Sequence, residues 1–222
     1  MQMSFSWSWS KLTSSETCGY RYQQVDLLRN YRDEDRTALD WGDQVHKAFA
    51  RAFLRDEALP PSMAPWQHWV DETKVLPGQF IVEAKWALDR HFNKIPWSAP
   101  AVWYRGKADL TRIDGPVADG IDWKTGRIKE DETQLLLMAQ LVFAHFPEVK
   151  RCRQRFVWLK EDCATEHVYN RRDMAQQWLG ILGRVQNLET METTKVFPKK
   201  PGRLCREWCP VKECEFYGES FH

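Results

Sequence analysis

Asp122 and Lys124 stand two residues apart in Ile121-Asp122-Trp123-Lys124-Thr125-Gly126, and Asp109 lies in the earlier run Gly106-Lys107-Ala108-Asp109-Leu110. Both runs read as strands with a polar loop between them. In an extended strand, side chains two apart share a face, so Asp122 and Lys124 point the same way. Asp109 sits beside them if the two strands are neighbours. Two carboxylates and an ammonium on one face of a mostly apolar sheet are costly unless they bind something. A hard divalent cation carrying a phosphate answers that need. The plain alternative is a surface hairpin with one ordinary Asp–Lys pair.

The elements that must hold these residues follow from periodicity. A helix starts after Ser8 or Ser10 as N-cap, carries Leu12 and reaches Cys18-Gly19-Tyr20-Arg21-Tyr22. Residues 23–36 are polar and charged, a second helix or a loop. From Leu39 to Phe53 the apolar residues fall at helical spacing, with Val45, Phe49 and Ala52 on one face and His46 next to it. The prolines at 60 and 61 break the chain. Gln79 to Leu88 alternates like a strand and contains Glu83, Ala101 to Arg112 is the second strand, and Val117 to Lys124 the third after the Asp114-Gly115-Pro116 turn. Glu130 to Phe146 is helical and ends at Pro147. Gln154 to Leu159 is a fourth strand, His167 to Tyr169 a fifth, and Asp173 to Leu188 a closing amphipathic helix. This order predicts an α/β fold with a mixed central sheet flanked by helices. No P-loop pattern occurs, which excludes a nucleotide-driven motor.

These residues together resemble the RecB-like branch of the PD-(D/E)XK nuclease superfamily, which includes CRISPR-associated exonucleases, nuclease domains of recombination helicases and many phage exonucleases. Gly42-Asp43-Gln44-Val45-His46 is similar to the helix ending in a metal-binding His. Gly106 to Leu110 resembles the strand with the first metal-binding Asp, and Asp122-Trp123-Lys124-Thr125-Gly126 the D-x-K-T-G motif. Gln134-Leu135-Leu136-Leu137-Met138 is similar to Q-x-x-x-Y, with Met138 in the place of Tyr, and Gly19 stands where Pro follows the N-terminal Cys. The resemblance implies a restriction-endonuclease-like core and a metal-dependent deoxyribonuclease, most simply an exonuclease without sequence specificity. It implies Mg²⁺ or Mn²⁺ on His46, Asp109, Asp122 and the backbone carbonyl of Trp123. His46 would tilt the preference toward Mn²⁺. Lys124 would orient the attacking water or stabilise the phosphate oxygens, Gln134 would position Lys124 or the DNA backbone, and Glu83 would act from an outer layer. A stand-alone member of this kind is expected in phage or mobile-element recombination, repair or DNA degradation. The competing function is a noncatalytic DNA-end-binding or scaffold protein on the same fold.

Cys205, Cys209 and Cys214 lie in a short tail as C-x3-C-x4-C, and Cys18 lies near the other end. Three thiolates at this spacing can wrap one metal centre, and a fourth completes sulfur coordination. The resemblance implies a 4Fe–4S cluster on these four, joining the N-terminal helix to the tail. A structural Zn²⁺ is the alternative. Cys152 and Cys163 read as small apolar residues. The expected organisation is a single nuclease domain over 1–222, with an N-terminal segment 1–38, a nuclease core 39–190 and a basic Cys-rich tail 191–222.

Composition sets the remaining bounds. The 222 residues carry a net charge of only +1, so contact with DNA must use a local basic patch rather than a global field. Candidates are the tail and Arg21, Arg105 and Lys107. Trp7, Trp9, Tyr20, Tyr22, Trp103 and Tyr104 are either base-stacking platforms or core, and core is the better reading for most. Expected partners are single-stranded DNA or duplex ends, with a recombinase, annealing protein or helicase, or further copies of the chain, as candidate protein partners. Met1 to Trp7 lacks a basic segment followed by a long apolar run, and no stretch is apolar enough to span a membrane. The expected location is therefore the cytoplasm, that of a bacterial host if phage-encoded. In that compartment the six cysteines are thiols or metal ligands rather than disulfides.

Overall fold

The computed structural model describes residues 5–32, 37–129 and 131–221. Its helices in chain order are α1 (Trp9–Thr17), α2 (Gly19–Tyr22), α3 (Thr37–Arg55), α4 (Gln67–Lys74), α5 (Thr133–His145), α6 (Met174–Thr194) and α7 (Leu204–Glu207). Its strands are β1 (Gln79–Leu88), β2 (Lys94–Ile95), β3 (Tyr104–Asp114), β4 (Val117–Lys124), β5 (Arg151–Trp158) and β6 (Cys163–Asn170). The chain divides into two compact units, Met1–Ser6 with Thr37–Gln177, and Trp7–Arg36 with Trp178–His222.

The first unit holds one six-stranded sheet in the order β2-β1-β3-β4-β5-β6. Neighbours are antiparallel except β4 and β5, which run parallel. The two-residue turn between β3 and β4 needs a positive φ at its first position, and Gly115 supplies it at 53°. A parallel pair needs a crossover, and α5 is that crossover. One face of the sheet is sealed by α3, whose Val45, Ala48, Phe49 and Ala52 repeat at i, i+3, i+4, i+7 and pack with Leu110, Ile121, Trp123 and Val157. Phe49 and Trp123 stack with ring centroids 4.2 Å apart. Because β4 alternates, burying Ile121 and Trp123 against α3 turns Asp122 and Lys124 to the other side, where they meet α5.

Several boundaries differ from the sequence expectation. β3 starts at Tyr104, not residue 101, because Val102 closes a turn on Ala99 and Trp103 bonds to Leu88. β5 starts at Arg151 and β6 spans eight residues, since the two pair continuously from Arg151–Asn170 to Trp158–Cys163. β6 is polar and lies at the sheet edge, so its pattern carried little hydrophobic signal. α5 starts at Thr133 (Glu130 lies outside the described residues), and α6 continues to Thr194. The short β2, helix α4 and a 3₁₀ turn at Pro61–Trp66 were not anticipated. Proline at a first helical position starts that turn rather than merely breaking the chain.

In the second unit, Ser8 caps α1 by accepting the Lys11 N–H at 3.4 Å. The helix expected to run on to Tyr22 stops at Cys18, which is extended at φ −164°, ψ 116°. The chain restarts as α2 and a π-helical stretch, Gln23–Leu27. Gly19 has a steric reason to lack a side chain, because a Cβ there would lie 3.0 Å from the Pro198 carbonyl oxygen. Arg184 makes two N–H bonds to the Glu16 carboxylate at 2.7 and 2.8 Å, and Trp7 packs edge-on against Trp178. No described helix is long and apolar enough to cross a membrane.

Candidate active site

The β3–β4 ladder runs from Asp114–Val117 to Leu110–Ile121 and stops there. Asp109 and Asp122 lie just past its last rung, where β4 stays paired with β5 but parts from β3. A parted strand leaves backbone donors without ladder partners. The Asp109 carboxylate fills this need by accepting the Trp123 N–H at 2.9 Å. It also lies 3.0 Å from His46 Nδ1, which α3 delivers from the edge of its buried face.

Glu83 occupies the matching position on β1. The β1–β3 register skips it, with Val82 opposite Leu110 and Ala84 opposite Ala108. Its φ of 52° is the left-handed conformation, uncommon for a residue with a side chain and sustained where the surroundings impose it. The same point marks a change in packing. Phe80, Val82 and Leu110 face the α3 cluster, whereas Trp86 stacks on His145 and Gly106 abuts Leu141, both of α5. The outcome is that one ligand atom each from His46, Glu83 and Asp109 lies within 4.8 Å of the others. The sequence expectation gave Glu83 an outer-layer role; here it stands beside His46 and Asp109 in a group that could hold a metal ion.

Beside this group is a closed triangle. Lys124 Nζ donates to Asp122 at 2.9 Å and to Gln134 Oε1 at 3.0 Å, and Gln134 Nε2 donates to Asp122 Oδ2 at 2.6 Å. Lys124 also lies 4.6 Å from the centroid of the Phe156 ring, a contact the sequence did not suggest. Phe156 is opposite Asp122 in the parallel register, so only strand pairing reveals it.

The electrostatics are those of a crowded anionic site. Burial pushes the Asp122 carboxyl up to about 6, with Asp109 adding to the rise and Lys124 and His46 opposing it. Burial also raises Glu83, and Asp109 raises it further against His46, Lys107 and Lys85. For His46, burial disfavours the imidazolium, but its hydrogen bond to the Asp109 carboxylate and the nearby Asp122 and Glu83 outweigh that, so its pKa is raised. A divalent cation relieves all three perturbations at once. Asp119, also on β4, shows the contrast. Burial would raise it, but Arg112 and Arg153 both bond to it and hold it below the usual carboxylate range. It is held by two guanidinium groups, whereas Asp122, although paired with Lys124, stays raised by burial and by Asp109.

The other sequence candidates are spread more widely. Arg105 lies over the Trp97 ring at 5.2 Å, and Lys107 is exposed on β3. Tyr22 is buried, and its hydroxyl donates to Glu192, so it offers no stacking surface. Trp7, Trp103 and Tyr104 are likewise core. Arg21 lines a cavity of about 160 Å³ together with Cys18, Cys205, Cys209 and Cys214. The Cys18 sulfur accepts the Arg21 N–H at 3.5 Å. Burial raises the Cys209 thiol, while the Val211 backbone N–H and Arg21 favour its thiolate. Among the described residues no three of these thiol sulfurs lie within 4.8 Å of one another. Cys152 is fully buried and Cys163 partly so.

No curated protein matches the sequence. Among solved structures, an exonuclease candidate from Eubacterium rectale superposes with a TM-score of 0.51 at 14% identity, over 95% of this chain and 86% of its own. A second, named SSO0001, covers 98% of this chain and 89% of its own, but at a TM-score of 0.40 and 12% identity it is too loose a likeness to argue from. The family model for the PD-(D/E)XK nuclease superfamily matches residues 6–214, a span that takes in every side chain of the site above. The chain belongs to the PD-(D/E)XK nuclease superfamily.

Proposed function

We propose that this protein is a divalent-metal-dependent deoxyribonuclease of the RecB-like type. It works from DNA ends without sequence preference, in recombination, repair or degradation. The observation that carries the reading is the convergence of His46, Glu83 and Asp109 beside the Asp122–Lys124–Gln134 triangle. Two carboxylates and an imidazole are a sound donor set for Mg²⁺ or Mn²⁺, with Asp122 and the Trp123 carbonyl as further oxygens. The bound cation supplies Lewis acidity toward the phosphate and lowers the pKa of a bound water. Lys124, fixed by Asp122 and Gln134, orients that water and offers its ammonium to the phosphate oxygens. Gln134 keeps Lys124 from swinging away, and the Trp123 N–H together with His46 fixes the Asp109 carboxylate.

The second proposed cofactor is a 4Fe–4S cluster on Cys18, Cys205, Cys209 and Cys214. The donors fit, since four thiols line one cavity, and backbone N–H groups reach the sulfurs of Cys18 and Cys209. A single Zn²⁺ would draw four sulfurs to about 3.8 Å of one another from its Zn–S bond length. Among the described residues no three of the thiol sulfurs stand within 4.8 Å of one another. Because Cys18 is remote in sequence from the three tail cysteines, such a cluster would act as a staple and contribute folding energy.

The test is digestion of end-labelled single- and double-stranded DNA with Mg²⁺ or Mn²⁺, wild type against D122A. Metal-dependent shortening from one end by wild type alone is the expected result. Equal digestion by both proteins, or none by either, overturns the catalytic reading. Preparations carrying about four irons per chain are expected for the cluster, and a zinc-loaded, colourless protein overturns it.

A further inference from the structure

Two residues along the β1–β3 ladder from Glu83 and Asp109, Lys85 and Lys107 stand directly opposite one another. Both are exposed, and neither makes an ion pair or hydrogen bond within the described residues. Like charges directly opposite across a strand pair destabilise it. The pair thus adds cost to the free protein, as a site for a polyanion would. Both lysines act on Glu83, so they stand within electrostatic reach of the metal-ligating group. Two residues further along β3 is Arg105, opposite Ala87, with its guanidinium stacked over Trp97. Trp97 is only partly buried, in the turn after β2.

We infer that this strand pair is the path of the substrate beyond the cleavage point, and that it is built for a single strand. The inference rests on the nuclease reading and adds the substrate's form to it. Residues two apart on a strand are spaced by about 6.7 Å, a step comparable with successive phosphates on an extended nucleic acid strand. The row of features is ordered to match: the metal-ligating carboxylates, then two ammonium groups for the next phosphate, then a cation on an aromatic face. A base has to be unpaired for its face to stack on Trp97, and such stacking accepts any base, which agrees with cutting without sequence preference. A duplex would present phosphates to the lysines but no free base to Trp97.

The experiment separates binding from cutting. Fluorescence anisotropy with an end-labelled single-stranded oligonucleotide and a blunt duplex of the same sequence is measured on D122A, and on D122A carrying K85Q/K107Q or W97A. Loss of the contacts to that one phosphate is expected to flatten the log–log salt dependence of single-strand binding by about 0.7. W97A is expected to weaken single-strand binding about tenfold and leave the duplex unchanged. K85R/K107R restores the salt slope, which a merely structural role would not require. An unchanged slope in K85Q/K107Q, or equal effects of W97A on both substrates, overturns the inference. Failure of the nuclease reading itself is read elsewhere, as wild-type protein that cuts no DNA with either metal.

Discussion

Lys124 is the residue most tightly defined by its neighbours, with two hydrogen bonds and an aromatic face holding one flexible side chain. Removing it takes away the group proposed to orient water and meet the phosphate. K124A is expected to lower the cleavage rate at least ~100-fold with its melting temperature little changed, checked by single-turnover digestion beside a thermal melt. Asp122 yields a stability prediction with a definite sign. Its folded pKa, about 6, lies above its ordinary value of 3.8, so the folded, metal-free protein binds this proton more tightly than the unfolded chain. That contribution is present below the unfolded pKa and is lost as pH rises through the folded one. In chelator-treated protein, D122N should therefore melt higher than wild type near pH 7.5, and the gap should close as pH falls toward 4. Adding Mn²⁺ at pH 7.5 should raise wild type more than D122N, since the cation binds the folded site. A gap that does not vary with pH would contradict the raised pKa of this buried carboxylate.

At the scale of elements, the site depends on where strands stop pairing. Asp109 and Asp122 face each other past the last β3–β4 rung, and Glu83 breaks the β1–β3 ladder with a left-handed residue. Helix α3 brings His46 to this opening, and Phe49, three residues on, packs on Trp123. F49A removes a fully buried ring from that contact. It is expected to cost about 3–5 kcal/mol in chemical denaturation. The surviving folded protein should also bind Mn²⁺ more weakly, because the His46 helix loses its anchor. Calorimetric titration checks the second effect, and unchanged Mn²⁺ affinity would mean that α3 is positioned by other contacts.

At the scale of the whole molecule, chemistry is divided between the two compact units. The acidic and basic side chains of the nuclease site belong to one, and all four cavity-lining cysteines to the other. The second unit draws on both ends of the chain, through contacts such as Glu16 with Arg184 and Tyr22 with Glu192. A cluster on Cys18, Cys205, Cys209 and Cys214 would add to those contacts. C209S should lose its iron and melt earlier than wild type, measured by iron content and a thermal melt on the same sample. C152S, at a buried thiol that is not part of that cavity's lining, should keep its iron.

Local pattern in the sequence was enough for the strands from Gln79 and Val117, the amphipathic α3, the crossover helix and the Asp-x-Lys pair. Each of these depends on side chains a few residues apart, where helical and strand periods are visible directly. Asp109, Asp122 and Lys124 stand out in the same way, as charges on apolar strands, whereas His46 and Gln134 are candidates only through the family resemblance. Tertiary structure alone decided how they meet. The left-handed turn at Glu83, the loss of the β3–β4 rung and the Phe156 ring beneath Lys124 all arise from pairing between distant segments. Burial likewise took Tyr22 out of the surface and exposed the facing lysines 85 and 107, because which side of a strand is covered depends on the helix that lands on it. The two carboxylates and the ammonium thus fall into two adjoining groups: one in which Glu83 stands with His46 and Asp109, and a triangle that holds Lys124 in place.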